Sequence, residues 1–170
     1  MASQKVLYRA PYNYPNVHEC DAAAICCIDF RFWRETMEFI DNYFKVKSYD
    51  FPKLPGAAKA IIESNGNDLA SSCVEVPCEL HNIKKIILVN HEDCGAYGGS
   101  KPFEGDKKAE QEFHEQELTK AAEIIRKKYP EKEVHIIYAK LSPENKEIEF
   151  IEASNESNRA TTDDSLQQAA

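Results

Sequence analysis

The 170-residue sequence has little positive charge and lacks any long apolar run. Its 21 lysines and arginines stand against 29 aspartates and glutamates, which gives a formal net charge of −8 at pH 7. An acidic surface repels phosphate backbones, so we do not expect a nucleic-acid partner. No apolar stretch approaches the ~20 residues that a membrane span needs, so we expect no membrane partner either.

The start of the sequence lacks the apolar stretch and the small-residue cleavage pattern of a secretory signal, which predicts a cytoplasmic location. In that compartment the six cysteines are expected to be buried thiols or metal ligands rather than disulfides. A composition of 42% apolar and 29% charged residues is typical of a globular domain. We place this single domain at residues 1–153, with an extended arm at 1–20, and predict a polar tail at 154–170.

Apolar residues recur along the chain with the spacing of strands and helices in alternation. Strands are predicted at residues 22–28, 45–51, 85–90, 134–141 and 146–151. Helices are predicted at residues 31–45, 57–63 and 106–128, and another helix begins near residue 67. Strands that alternate with helices pair in parallel through right-handed crossovers, so we expect a three-layer α/β fold with a mostly parallel central sheet flanked by helices. In such sheets the binding crevice lies beyond the carboxyl ends of the strands.

Two groups of chemically active residues follow the two most apolar of these strands. Cys27, Asp29 and Arg31 follow the first strand, and His91 and Cys94 follow the later one. If the two strands are neighbours, Cys27, His91 and Cys94 converge on one point. Three ligands of this kind leave one position of a tetrahedral zinc site open, which is the pattern of a catalytic site. Thiolates together with an imidazole favour zinc over magnesium or calcium.

Each of these residues also has a simpler interpretation when it is taken alone. Cys27 fits a small apolar position in a strand, and Asp29 fits an N-cap for the helix that follows it. His91 and Cys94 fit half of a structural zinc site or an ordinary loop. Their joint occurrence at two strand ends favours the metal site.

The pairing of Cys-x-Asp-x-Arg at residues 27–31 with His-x-x-Cys-Gly at residues 91–95 resembles the β-class carbonic anhydrases. The likeness extends over about residues 20–153. It implies that Cys27, His91 and Cys94 bind one zinc ion per chain and that Asp29 and Arg31 form a catalytic pair beside the open position. The activity implied is reversible hydration of carbon dioxide to bicarbonate by zinc-bound hydroxide.

The two thiolates neutralise the zinc ion, so its water is acidified less than at a three-histidine site, where the pKa falls to about 7. Help from Asp29, held by Arg31, is therefore expected in orienting that water. We expect low pH to favour a closed form in which Asp29 leaves Arg31 and binds zinc.

Two other activities stay open at this point. The same site suits hydrolysis of a related small molecule, carbonyl sulfide or carbon disulfide, and a homologue can also bind zinc without catalysis. The wide apolar surface of the helix at residues 31–45, together with the resemblance, predicts a homodimer or a larger homo-oligomer.

The other polar residues near these motifs are given simpler roles. Cys26 alternates with Cys27 in a strand, which predicts a core thiol on the opposite face. Glu92 and Asp93 are expected to be loop acids that face solvent. The charged run at residues 104–128 is expected to be a solvated helix face.

The remaining histidines and cysteines carry weaker predictions. His114 is expected to be packed rather than a ligand. His81 carries no signal of its own. Cys20 with Cys73 and Cys78 is the weaker candidate for a second metal site, because none of them has a second ligand at close paired spacing.

Overall fold

A computed structural model describes residues 5–144 and 146–153. Five strands form one sheet in the order β2-β1-β3-β4-β5. Their bounds are β1 Ala22–Cys26, β2 Tyr49–Asp50, β3 Lys85–His91, β4 Glu133–Leu141 and β5 Ile148–Glu152. The strands from β1 to β4 run parallel, and β5 pairs antiparallel with β4. The predicted three-layer α/β fold with a mostly parallel sheet is confirmed.

Helices cover both faces of the sheet. They are α1 Trp33–Phe39, α2 Ala58–Ile62, α3 Leu69–Glu79 and α4 Lys107–Lys128. One apolar cluster lies between the sheet and α2, α3 and α4, and a second cluster lies on the opposite face under α1. One face of α4 is buried against the sheet, with Leu118, Ala121 and Ala122 fully enclosed. This face fixes α4 beside the carboxyl end of β3.

The two longest helices begin at aspartates that cap them. The Asp68 carboxylate accepts the Ser71 backbone N–H at 2.9 Å, and the Ser71 hydroxyl accepts the Asp68 N–H at 3.0 Å. These reciprocal bonds satisfy two of the free donors at the start of α3. Asp106 caps α4 in the same way, since its Oδ1 accepts the N–H groups of Lys108 and Ala109.

The prediction was wrong about the extent of the strand at residues 45–51. Only Tyr49 and Asp50 pair with β1. The reason lies at both ends of the segment. Lys45 takes a left-handed conformation with φ 53° where the π-helical continuation of α1, Ile40–Phe44, ends. Pro52 on the other side has no N–H to give to a ladder. The helix expected at residues 31–45 likewise begins two residues later than predicted, at Trp33.

The alternation of β1 places its residues on the two faces of the sheet. Ala23 and Ile25 pack toward α2, α3 and α4, whereas Cys26 packs on the α1 side, as predicted for a core thiol. Burial raises the pKa of Cys26 to about 12. β1 pairs with β3 in parallel, with Cys26 opposite Val89. The residues that follow these two strands therefore meet at one edge of the sheet.

The predicted tail at residues 154–170 lies outside the described residues. The predicted domain boundaries and the homo-oligomer stay predictions. In the part of the chain that the structure describes, no helix is both long enough and apolar enough to cross a membrane.

Candidate metal centre

Cys27, His91 and Cys94 come together at the carboxyl edge of β1 and β3. Their sulfur and imidazole nitrogen atoms all lie within 4.8 Å of one another. The Sγ atoms of Cys27 and Cys94 are 3.8 Å apart. Two sulfurs at about 2.3 Å from one tetrahedral zinc ion are separated by about 3.8 Å. The distance between the sulfurs thus fits a shared zinc ion.

The imidazole of His91 is buried with one ring nitrogen free to bind a metal. Its Nδ1 lies 2.8 Å from the backbone carbonyl of Glu92 and donates to it, and the Phe32 ring packs over it with ring centroids 4.2 Å apart. Its Nε2 has no hydrogen-bond partner among the described residues. A buried polar atom without a partner is costly, and metal-bound histidines typically donate their other nitrogen in this way. Nε2 is therefore the atom that suits a metal.

The two thiols do not titrate alike. The hydrogen bond from the Cys94 thiol lowers the pKa of Cys27 despite its burial. The bond to Cys27 and burial raise the pKa of Cys94. Cys27 also accepts the Gly56 backbone N–H at 3.4 Å. The Gly56 N–H therefore favours the thiolate form of Cys27.

Gly56 is needed where it stands. Its φ is 72°, and a Cβ atom on it would lie 2.9 Å from the Cβ of Ala96. A larger residue would strain the backbone and push it away from the Cys27 sulfur. Gly56 ends the segment at residues 52–56, which contains two prolines and this glycine.

Asp29 and Arg31 form a tight ion pair beside the three ligands. Asp29 accepts the Arg31 backbone N–H and Nε through Oδ1 at 2.9 and 3.0 Å, and Nη2 through Oδ2 at 2.7 Å. These side-chain bonds lower the pKa of Asp29. Asp29 Oδ2 lies 4.0 Å from Nε2 of His91. Asp29 does not cap α1, whose N-cap is Phe32 without a side-chain cap bond, so that alternative is wrong.

The sequence predicted that Asp93 faces solvent, but in the structure its carboxylate pairs with Arg31. Arg31 donates from Nη1 to Asp93 Oδ2 at 2.8 Å and from Nη2 to the Asp93 backbone carbonyl at 2.9 Å. The Ser100 N–H donates to the other carboxylate oxygen of Asp93 at 3.0 Å. Two carboxylates, those of Asp29 and Asp93, thus share one guanidinium and fix its plane.

Two further acids that were predicted to be solvated are buried. Glu92 is 5% exposed, accepts the Leu141 N–H at 3.0 Å and pairs with Lys107 at 2.9 Å. Its burial follows from β4, which covers the loop after β3.

Glu110 of α4 is 1% exposed, and its Oε1 accepts the Asp93 N–H at 2.7 Å. A signal for Glu110 was present in the sequence, since Glu110, His114 and Leu118 recur every four residues along the inner face of α4.

His114 is packed, as predicted, and Asn90 sets which of its ring nitrogens carries the proton. The Asn90 Oδ1 accepts the Ala58 N–H at 3.1 Å, which directs the amide NH₂ toward His114 Nδ1 at 3.3 Å. The Tyr97 ring lies edge-on to the imidazole with centroids 4.8 Å apart. Burial lowers the pKa of His114 to about 4, so this histidine is neutral near pH 7.

A small cavity adjoins the ligands on the α1 side. It measures about 10 Å³ and is lined by Cys27, His91 and the apolar side chains of Phe32, Trp33 and Val89, among others. This is about the space of one water molecule.

Comparisons with known proteins identify the family and the fold. A family model described as "Putative carbonic anhydrase" matches residues 17–152. An uncharacterized protein of Rickettsia bellii is 32% identical over 124 residues, which cover 70% of this chain and 76% of the relative.

Two solved structures share the fold at low sequence identity. The chain is similar to the crystal structure of β-carbonic anhydrase isoform I from Trichomonas vaginalis, with 14% identity, a TM-score of 0.54 and coverage of 86% of this chain and 88% of that one. It is also similar to a carbonic anhydrase from Glaciozyma antarctica, with 14% identity, a TM-score of 0.56 and coverage of 82% and 85%.

Proposed function

This chain belongs to the carbonic anhydrase family and has the fold of the β class, and from that premise we propose that it binds one zinc ion and reversibly hydrates carbon dioxide to bicarbonate. The observation that carries the proposal is the unpartnered Nε2 of His91 beside the Cys27 and Cys94 sulfurs, with the Asp29 carboxylate 4.0 Å away. A zinc ion bound there supplies a Lewis acid with one open position that acidifies a water molecule.

Asp29 would orient the attacking water. Its carboxylate stays ionised because Arg31 lowers its pKa, so it could accept a hydrogen bond from a water molecule held beside Cys27, His91 and Cys94. The overall reaction adds water to carbon dioxide and yields bicarbonate and one proton. Asp29 is 16% exposed, so the proton can leave to solvent along this side of the site.

Arg31 is a positioning residue in this scheme. It binds Asp29 from one side and Asp93 from the other, and Glu110 holds the Asp93 backbone through a buried bond. The guanidinium fixes the orientation of the Asp29 carboxylate and opposes its movement toward the metal position between the three ligand side chains. Charge-assisted bonds of this kind are roughly twice as strong as neutral ones.

The cavity beside Cys27 and His91 has the space of about one water molecule and is lined in part by the apolar side chains of Phe32, Trp33 and Val89. Carbon dioxide, carbonyl sulfide and carbon disulfide are all larger than this space. Hydrolysis of carbonyl sulfide or carbon disulfide is therefore an outcome of the test below.

Stopped-flow carbon dioxide hydration near pH 8 tests the proposal, with zinc content measured on each sample. Asp29→Asn is expected to retain zinc and lose at least about a hundredfold in rate, because the amide carries no negative charge and replaces one acceptor oxygen with an NH₂ donor. Asp41→Asn is the matched control, since Asp41 is exposed and contacts Tyr49 on the far side of α1. Its rate is expected to equal that of the wild type.

The outcomes separate the candidate functions. Zinc-loaded wild type without a rate above buffer contradicts carbon dioxide hydration. Release of hydrogen sulfide from carbonyl sulfide by the same sample then identifies a hydrolase. Zinc binding with neither reaction identifies a non-catalytic homologue.

A further inference from the structure

A second group of metal-binding side chains lies at the opposite end of the sheet. Cys20, Asp50 and His81 place a sulfur, a carboxylate oxygen and an imidazole nitrogen within 4.8 Å of one another. Cys20 precedes β1, Asp50 ends β2, and His81 lies in the turn between α3 and β3. Seven residues of extended chain separate Cys20 from Cys27, which places the two groups about 23 Å apart along β1.

The backbone brings these three segments together before any metal binds. The Cys20 N–H donates to the His81 carbonyl at 3.0 Å, which ties the start of β1 to the turn. β2 lies beside β1, with Asp50 opposite Ala23. The three side chains therefore face one another because of the sheet topology.

The distances suit a tetrahedral metal ion. The Cys20 Sγ lies 3.6 Å from Asp50 Oδ2, and a sulfur and an oxygen on one zinc ion are separated by about 3.5 Å. His81 Nδ1 lies 2.7 Å from the same oxygen, a hydrogen bond that must open by about 0.6 Å for both atoms to bind one ion. The side chains of His81 and Asp50 are 36% and 31% exposed, so they have room for this adjustment.

The donor types select the metal. A thiolate with an imidazole favours zinc, whereas magnesium and calcium prefer sites made of oxygen alone. Without a metal, His81 pairs with Asp50, and the Cys20 thiol makes only long hydrogen bonds, to Asp50 Oδ2 at 3.6 Å and to the Ala22 carbonyl at 3.5 Å. A partly exposed ion pair of this kind contributes little to stability.

We propose that Cys20, Asp50 and His81 form a second zinc site. The ion joins the segment before β1, the edge strand β2 and the turn after α3, and the Cys20 thiol gives its proton to solvent as the sulfur binds. In this site Cys20 shares the ion with Asp50 and His81 instead of with Cys73 and Cys78, the partners considered from the sequence. It is independent of the proposed reaction.

Zinc stoichiometry tests the proposal. Purified protein is loaded with excess zinc, passed through a desalting column and analysed for metal per chain by mass spectrometry. Wild type is expected to hold about two zinc ions, and Cys20→Ser about one. Cys73→Ser is the control, because Cys73 is also partly buried but belongs to neither group, and it is expected to keep about two.

Cys27→Ser separates the two sites. This variant is expected to lose the ion at the carboxyl edge and to keep about one ion at the second site. The double variant Cys27→Ser with His81→Gln is expected to lose that ion as well. His81→Gln and Asp50→Asn serve as additional single variants if circular dichroism shows that Cys20→Ser is misfolded. Wild type that holds about one ion, together with Cys27→Ser that holds none, overturns the second site whatever the result for carbon dioxide hydration.

Discussion

Replacing His114 by glutamine is expected to make the protein less sensitive to mild acid. His114 lies on α4 and is fully buried against Asn90 and the rings of Tyr97 and Tyr138. Burial lowers its pKa to about 4, against about 6.5 in an unfolded chain. Glutamine has a similar polar reach and does not titrate in this range.

The geometry explains why the imidazole resists protonation. Asn90 donates to Nδ1 because its own oxygen is held by the Ala58 N–H. A proton on Nδ1 would therefore break this bond and meet a second donor. On the other side Nε2 lies 4.0 Å from Glu110 Oε1, which already accepts the Asp93 N–H.

The sign and size of the effect follow from the two pKa values. Below about pH 6.5 the unfolded chain binds a proton at His114 that the folded chain does not, so stability falls as the pH falls toward 4. Between about pH 7.5 and pH 5 this linkage lowers the free energy of unfolding by about 2 kcal/mol. The loss is absent from a variant that has no imidazole at this position.

Urea unfolding of the zinc-loaded proteins at both pH values measures the effect. Wild type is expected to lose about 2 kcal/mol more than His114→Gln between the two conditions, and zinc content is checked at each pH because metal loss also destabilises the fold. His18→Gln, on the exposed arm, is expected to behave as wild type. Equal losses in wild type and His114→Gln would refute the reasoning.

Two further substitutions test how the metal centre is supported. Gly56→Ala is expected to lower the free energy of unfolding by about 2 kcal/mol, because the φ of Gly56 is 72° and the added Cβ would lie 2.9 Å from the Cβ of Ala96. Gly66→Ala is the control and is expected to cost about 1 kcal/mol, since the φ of Gly66 is 83° but no described heavy atom lies within 4 Å of the added Cβ. Equal losses in urea unfolding would contradict the role of Ala96. Glu110→Ala is expected to lower the free energy of unfolding by about 2 kcal/mol and to lower the carbon dioxide hydration rate, because Asp93 loses its buried hydrogen bond. Glu110→Gln keeps an oxygen for the Asp93 N–H and is expected to retain most of the stability and most of the rate. A glutamine variant as impaired as the alanine variant would show that the charge of Glu110 matters instead.

The convergence of the three ligands was predictable from the sequence. Cys27 and His91 each stand at the end of a buried apolar run, and parallel neighbouring strands end at the same edge of a sheet. Asp29 and Arg31 lie two residues apart, so a local turn suffices to pair them. These inferences depend on periodicity and short spacing, which the sequence shows directly.

The surroundings of the site were not predictable in the same way. Asp93 lies in the loop after β3, and its partner Arg31 is 62 residues away in sequence. Glu92 is buried only because β4 passes over it, with the Leu141 N–H 49 residues away. Whether an acid faces solvent or a buried donor depends on which distant segment folds over it.

The sequence by itself determined the alternation of strands and helices, and with it the parallel sheet and the strand ends at which Cys27, His91 and Cys94 meet. Only the tertiary structure decided that Asp93 and Glu110 hold Arg31, that Gly56 gives its N–H to Cys27, and that Cys20 faces Asp50 and His81. The physical reason is that the periodicity of apolar residues is a local property of the sequence, whereas hydrogen bonds and metal sites join segments that are far apart in sequence and meet only in the folded chain.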